Sequence, residues 1–303
     1  MDRTSAYCLC LLLSACCLAA CAVITRPQAV PSYPPAQQHA AYTGTASCVP
    51  CHEAVFEHYR RTIHARIAPD PLIDRGSGCE ACHGPGSEHV RTKGALGTIM
   101  DIEHLSPRQA SSICLGCHTG APVIDWQANA HLLHDVGCNE CHRSHQVTGP
   151  KMVYQGDPAI CFTCHQDKRT QHRLPSHHPV NERKMTCGSC HNSHGSENNN
   201  LREDTLNDLC FTCHTEYQGP FVYEHAPVVE DCSMCHDPHG TIADNLLLQN
   251  EPFICLRCHR GHRREDGQTT PHPDSFLTRC TQCHLSIHGS DLPSQVLGGG
   301  LTR

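Results

Sequence analysis

Two stretches decide how this chain folds: Cys187-Gly188-Ser189-Cys190-His191-Asn192-Ser193-His194, and after it Cys210-Phe211-Thr212-Cys213-His214. Each places two thiols three residues apart with a histidine directly behind the second, and the first stretch adds another histidine three residues later. The C-x-x-C-H pattern occurs ten times in 303 residues, beginning at Cys48, Cys79, Cys114, Cys138, Cys161, Cys187, Cys210, Cys232, Cys255 and Cys280. These copies take 20 of the 25 cysteines, and the other five, Cys8, Cys10, Cys16, Cys17 and Cys21, all lie in the first 21 residues.

The spacing puts both thiols within reach of the two vinyl groups of a haem, where they form thioethers, while the histidine approaches the iron from one face. A zinc site, a redox dithiol or a disulfide predicts C-x-x-C without a fixed histidine, or only one or two pairs. Here all ten pairs carry it. The expected thioether residues are Cys48 and Cys51, Cys79 and Cys82, Cys114 and Cys117, Cys138 and Cys141, Cys161 and Cys164, Cys187 and Cys190, Cys210 and Cys213, Cys232 and Cys235, Cys255 and Cys258, and Cys280 and Cys283. The expected proximal ligands are His52, His83, His118, His142, His165, His191, His214, His236, His259 and His284. The cofactor expectation is ten covalently bound haem c.

Composition agrees with an interior filled by something other than side chains. Aromatic residues are 5% of the chain, the 38% hydrophobic fraction includes the cysteines, and 22 glycines and 21 prolines favour short helices joined by turns. The fold class expected is a multihaem cytochrome c, mostly irregular with short α-helices and little or no β.

The second axial ligand follows from inventory. Beyond the first 21 residues only Met100, Met152, Met185 and Met234 remain, whereas 17 of the 27 histidines stand outside the motifs. Bis-histidine coordination can therefore serve every iron and methionine cannot. One candidate set lies just downstream of motifs: His145, His194, His239, His288 and, more loosely, His89. A second set lies upstream of the even-numbered motifs: His64, His131, His178 and His225. For the tenth ligand His262 is chosen over His272. His39, His58, His104, His134, His172, His177 and His272 are left as surface or propionate-contacting histidines.

At the N-terminus, Arg3 and the apolar run Tyr7–Ala20 read as an export signal over residues 1–20, too short to span a bilayer. Leu18-Ala19-Ala20-Cys21 is similar to a lipoprotein cleavage box, making Cys21 a lipidation candidate; ordinary cleavage near Ala20-Cys21-Ala22 is the alternative. A Pro-rich tether (21–44), a first pentahaem lobe (45–170), a second (171–290) and a tail (291–303) complete the expected organisation. From Thr43 onward no apolar run approaches the length of a membrane helix.

Several stretches beyond the motifs carry a resemblance: Cys79-Glu80-Ala81-Cys82-His83-Gly84-Pro85, Met185-Thr186-Cys187 through His194-Gly195-Ser196, Glu224-His225-Ala226-Pro227-Val228, His236 to Gly240, and Ile287-His288-Gly289-Ser290. Across Ser47 to Ser290 the chain resembles the MtrA, PioA and DmsE family of decahaem cytochromes. That resemblance implies an elongated wire of two five-haem lobes inside a large outer-membrane β-barrel porin. Its implied partners are periplasmic electron-carrier cytochromes on one side and an extracellular multihaem cytochrome, reductase or mineral on the other. The location implied is the periplasmic side of the outer membrane, with Cys21 as lipid anchor.

The function expected is electron carriage between periplasm and cell exterior, not catalysis. A multihaem reductase needs an iron with an open position, often marked by C-x-x-C-K, and Lys93, Lys151, Lys168 and Lys184 all lie outside the motifs. A soluble periplasmic shuttle would use the same haems. The formal charge of −7, deepened by haem propionates, argues against nucleic acid as partner.

Overall fold

In a computed structural model the described residues are 33–66, 78–120, 123–145, 158–195, 200–259 and 278–293. They form a multihaem cytochrome c fold of short helices and turns. Among the described residues the longest helix, Val49–Tyr59, has 11 residues and is broken at His52, whose φ and ψ of −119° and 36° leave the helical region. Pro107–Leu115 follows with nine. No strand occurs among the described residues, only isolated antiparallel bridges such as Ser176 with Thr241 and Tyr223 with Ser290.

Each motif is itself one helical turn. In all ten the histidine N–H donates to the carbonyl of the first cysteine four residues back, at 2.8–3.1 Å. The ring therefore issues from the same turn as both thiols. The first motif opens the helix Val49–Tyr59, whereas the later odd-numbered motifs begin at the end of a short helix. Two of these helices carry a local start signal: Ser106 and Gln109 make a capping box ahead of Pro107–Leu115, and the Thr205 hydroxyl accepts the Asp208 N–H at 3.0 Å ahead of Leu206–Phe211. Even-numbered motifs include 3-10 turns, as at Cys187–Ser189, Cys232–Met234 and Cys280–Gln282; Thr186 and Ser189 cap the first and the Asp231 carboxylate, accepting the Ser233 N–H at 2.7 Å, caps the second.

The side-chain core is thin, as the composition implied. Its buried apolar members include Ile113, Leu209 and Ile254, each the residue before the first cysteine of an odd-numbered motif. Met100 is also buried, and its carbonyl faces His83 Nδ1 at 3.1 Å.

The chain divides into two compact units, one drawing on Met1–Thr119 and Asp135–Met152, the other on Gly120–His134 and Val153–Arg303. The first contains the motifs at Cys48, Cys79, Cys114 and Cys138, the second the remaining six. The two five-motif lobes expected from the sequence, 45–170 and 171–290, meet at residue 170. No helix among the described residues is long and apolar enough to cross a membrane.

Candidate haem-binding sites

The motifs associate in consecutive pairs. The first cysteines of each odd motif and the even motif after it lie side by side: Cys48 by Cys79, Cys114 by Cys138, Cys161 by Cys187, Cys210 by Cys232, and Cys255 by Cys280. Their mutual contact holds Cys138 down to about 6 and Cys187 down to about 7 as thiols, while burial pushes Cys210 up to about 12. Thioether formation removes these titrations.

Side chains just before the odd motifs clamp the pairs. Thr45 Oγ1 accepts the Cys79 N–H and Ser111 Oγ the Cys138 N–H, both at 3.3 Å; Asn207 Oδ1 accepts the Cys232 N–H at 2.8 Å. All three stand three residues before a motif. In the last pair Pro252 holds that position, and Glu251 beside it accepts the Thr281 N–H and hydroxyl at 2.8 Å. Glu251, Cys255 and Cys280 approach one another closely enough for a metal ion, but the carboxylate is engaged and the thiols belong to haem motifs. These clamps escaped the sequence reading, because nothing but their recurring offset marks them.

Glu80, inside the second motif, is 2% exposed and accepts N–H groups from Thr43 (3.0 Å), Gly44 (2.8 Å) and Gly86 (2.8 Å). Buried Gln37 donates to the carbonyls of His83 and Pro85 at 2.7 and 3.0 Å. Together they fix the turn carrying His83.

The histidine rings gather in facing pairs. An imidazole nitrogen about 2.0 Å from a first-row metal, with roughly 1.1 Å from nitrogen to ring centre, separates two rings on a common iron by about 6.2 Å. Ring centres are 6.4 Å apart for His52 and His89, 6.0 Å for His64 and His118, 6.0 Å for His83 and His145, and 6.2 Å for His131 and His165. They are 6.3 Å apart for His178 and His214, 6.1 Å for His191 and His239, 6.0 Å for His225 and His259, and 6.2 Å for His236 and His288. Each pair joins one motif histidine to one from the distal sets, at a separation that fits an iron ligated by both.

The even-numbered motif histidines His83, His191 and His236 face the downstream histidine of the motif two places further on. Motif histidines His118, His165, His214 and His259 face the upstream set. His142, His194 and His284 make interactions of their own. His262, His272 and Cys21 lie outside the described residues.

The pairs differ in plane angle. His83/His145, His191/His239 and His52/His89 are within 11° to 18° of parallel, whereas His64/His118 and His131/His165 cross at 83° and 75°.

Ring chemistry suits ligation. Nδ1 of His83, His131, His178 and His236 faces the carbonyls of Met100, Ser193, Pro238 and Asn245 at 2.8–3.1 Å, so the proton sits on Nδ1 and Nε2 keeps its lone pair for a metal. Burial holds the proton affinity of His64, His145, His191, His194, His225, His236, His239 and His288 below the ordinary value, keeping those rings neutral. His225 Nδ1 is buried without closing a hydrogen bond, although the Ile287 backbone still favours its proton.

Side chains also shape the turn after the motif. Asn192 Oδ1 accepts the His194 N–H at 3.2 Å and Asp237 Oδ1 the His239 N–H at 2.9 Å, each an Asx turn that swings the downstream ring away from its own motif.

Comparison with known proteins gives a consistent picture. The family described as doubled CXXCH motif matches residues 131–170, 177–219 and 225–264, and the family of cytochrome c554 and c-prime matches 88–143. The multiheme cytochrome MtrA of Shewanella baltica is 34% identical over 195 residues, covering 62% of this chain and 58% of that protein. The cytochrome c-type protein NrfB of Escherichia coli is 27% identical over 141 residues, 45% of this chain and 71% of NrfB. The C-type polyheme cytochrome OmcC of Geobacter sulfurreducens is 26% identical over 178 residues, 44% of this chain and 22% of OmcC. The chain thus spans little more than half of MtrA and about a fifth of OmcC.

Proposed function

We propose that this chain, an MtrA-like multihaem c-type cytochrome bearing covalent haems through paired C-x-x-C-H motifs, holds ten haems and carries electrons singly along them. The eight facing histidine pairs, set at iron-spanning distance, are the observation that carries this reading. In it each pair is the axial ligand set of one haem, and His194 and His262 serve as the remaining distal ligands.

Haem supplies the one-electron iron couple. The protein's share is to hold two neutral imidazoles so that the ligand set is unchanged between oxidation states, and to keep water from the iron. With both faces taken there is no position for substrate, which favours carriage over a reductase.

The proposed setting is the periplasmic side of an outer membrane, inside a β-barrel, with electron-carrier cytochromes within and a multihaem cytochrome, reductase or mineral outside. A bilayer with its headgroups is roughly 40–45 Å thick, and a row of haems in a barrel lumen supplies a path that this chain's short helices do not. Similarity to MtrA supports this setting, and Cys21 is proposed as the lipid anchor. Net charge of −7 before propionates favours basic docking partners.

Two measurements test the proposal. Intact mass should exceed that of the processed polypeptide by ten haems, and liposomes bearing the chain with a candidate barrel should reduce an enclosed dye from an external donor. A shortfall in mass refutes the haem count; full mass without transmembrane reduction refutes the conduit alone.

A further inference from the structure

Three histidines of the downstream set are in contact with a second ring that no motif announces. Tyr217 lies 4.3 Å from His288 with planes tilted 33°. His172 lies 5.8 Å from His239, edge-on at 85°, and Trp126 lies 6.2 Å from His194, edge-on at 60°. The three come from equivalent places, the segments following the odd-numbered motif histidines His214, His165 and His118.

The backbone is built to seat them. Each downstream histidine is followed by a glycine with positive φ: Gly195 at 116°, Gly240 at 151° and Gly289 at 134°. A Cβ there would stand 3.0 Å from the Asp125 carbonyl oxygen, 2.1 Å from that of Gln171 and 2.2 Å from Phe221 Cδ2. Asp125 and Gln171 immediately precede Trp126 and His172, so the approach that glycine permits is what brings the ring to the ligand. The Ser176–Thr241 and Tyr223–Ser290 bridges tie two of these segments together.

An imidazole on iron can rotate about its metal–nitrogen bond unless its other nitrogen is bonded or its face is covered. His131, His178 and His236 are held through Nδ1 by backbone carbonyls. His239 has Asp237 Oδ1 3.3 Å from its Nδ1. Among the described residues no hydrogen bond holds the His288 ring, and Tyr217 covers it instead. The phenol is not an electron relay, because oxidising it needs a potential far above that of a bis-histidine haem.

We propose that Tyr217, His172 and Trp126 are positioning residues that fix the rotation of His288, His239 and His194 on their irons. Tyr217 is the one whose ligand depends on it most, and it preserves the 23° angle between His236 and His288. This inference rests on the ligand reading above.

The test uses the mature holoprotein, comparing Tyr217→Ala and Tyr217→Phe by low-temperature electron paramagnetic resonance. Tyr217 also stacks on His214 at 6.2 Å, but His214 and His178 lie 52° apart, outside the near-parallel group. In Tyr217→Ala the haem equivalent of His236 and His288 should therefore leave the rhombic envelope of near-parallel ligands for a more anisotropic, larger-gmax signal, and Tyr217→Phe should restore the native spectrum. Should the alanine variant mature without its full haem complement, Tyr217→Leu, which fills the volume without an aromatic face, carries the same comparison. An unchanged spectrum in the alanine or leucine variant, or a phenylalanine variant shifted equally, overturns the assignment. High-spin signals in the unmodified protein would instead overturn the bis-histidine reading itself, so the two failures are distinguishable.

Discussion

The imidazoles of His191 and His239 face each other 6.1 Å apart, 11° from parallel, although 48 residues separate them. His191 issues from the sixth motif and His239 from the turn after the eighth. A substitution at His239 should therefore act on the sixth haem and leave the eighth, beside it in sequence, unaffected. His239→Met should raise one potential in the redox titration, because thioether replaces imidazole on one iron. His239→Ala should add one high-spin ferric equivalent to the resonance spectrum. A change at two haems would contradict the pairing.

The crossing angles predict two spectroscopic populations in the native protein. His64/His118 and His131/His165, at 83° and 75°, should give strongly anisotropic low-spin signals; His52/His89, His83/His145 and His191/His239 should give rhombic ones. His118→Met, which replaces an imidazole of a crossed pair, should remove intensity only from the first group.

Glu80→Ala should destabilise the first unit by about 1–3 kcal/mol, since it removes the acceptor of three backbone N–H groups, that of Gly86 buried and those of Thr43 and Gly44 part-buried. Glu80→Gln keeps one acceptor oxygen and should lose less. Thermal unfolding followed at the Soret band, with haem content checked by mass, ranks the two.

Gly240→Ala meets two costs at once. A φ of 151° is unfavourable for an L side chain by about 1–3 kcal/mol, and the added Cβ would lie 2.1 Å from the Gln171 carbonyl oxygen. The variant should unfold at lower temperature than the native protein and accumulate poorly. Gly44→Ala, also at positive φ but with open space at its Cβ, should cost only the backbone part.

Electron exchange with a basic redox partner should slow as ionic strength rises, because the formal charge of −7 attracts it through a field that salt screens. Stopped-flow rates at several salt concentrations check the slope; a flat response would point to an apolar docking surface.

The chemistry was legible in the chain because it is local. Two thiols and a histidine within five residues define a haem site whatever lies around them, and the i to i+4 hydrogen bond closing each of the ten turns needs nothing from elsewhere. Counting histidines against methionines was likewise enough to expect imidazole on both faces. What the sequence could not carry was which ring meets which. His145, three residues past His142, faces His83, while His64 reaches forward to His118. Nor did it mark Tyr217, His172 or Trp126, or the clamps Thr45, Ser111 and Asn207. In the proposed ligation the second ring arrives through space from a segment tens of residues away, and close approaches such as those of Gly195 to Asp125 and Gly240 to Gln171 belong to the packing that places it. Bonding within a turn is written in adjacent residues; bonding across a haem is decided by how the turns pack.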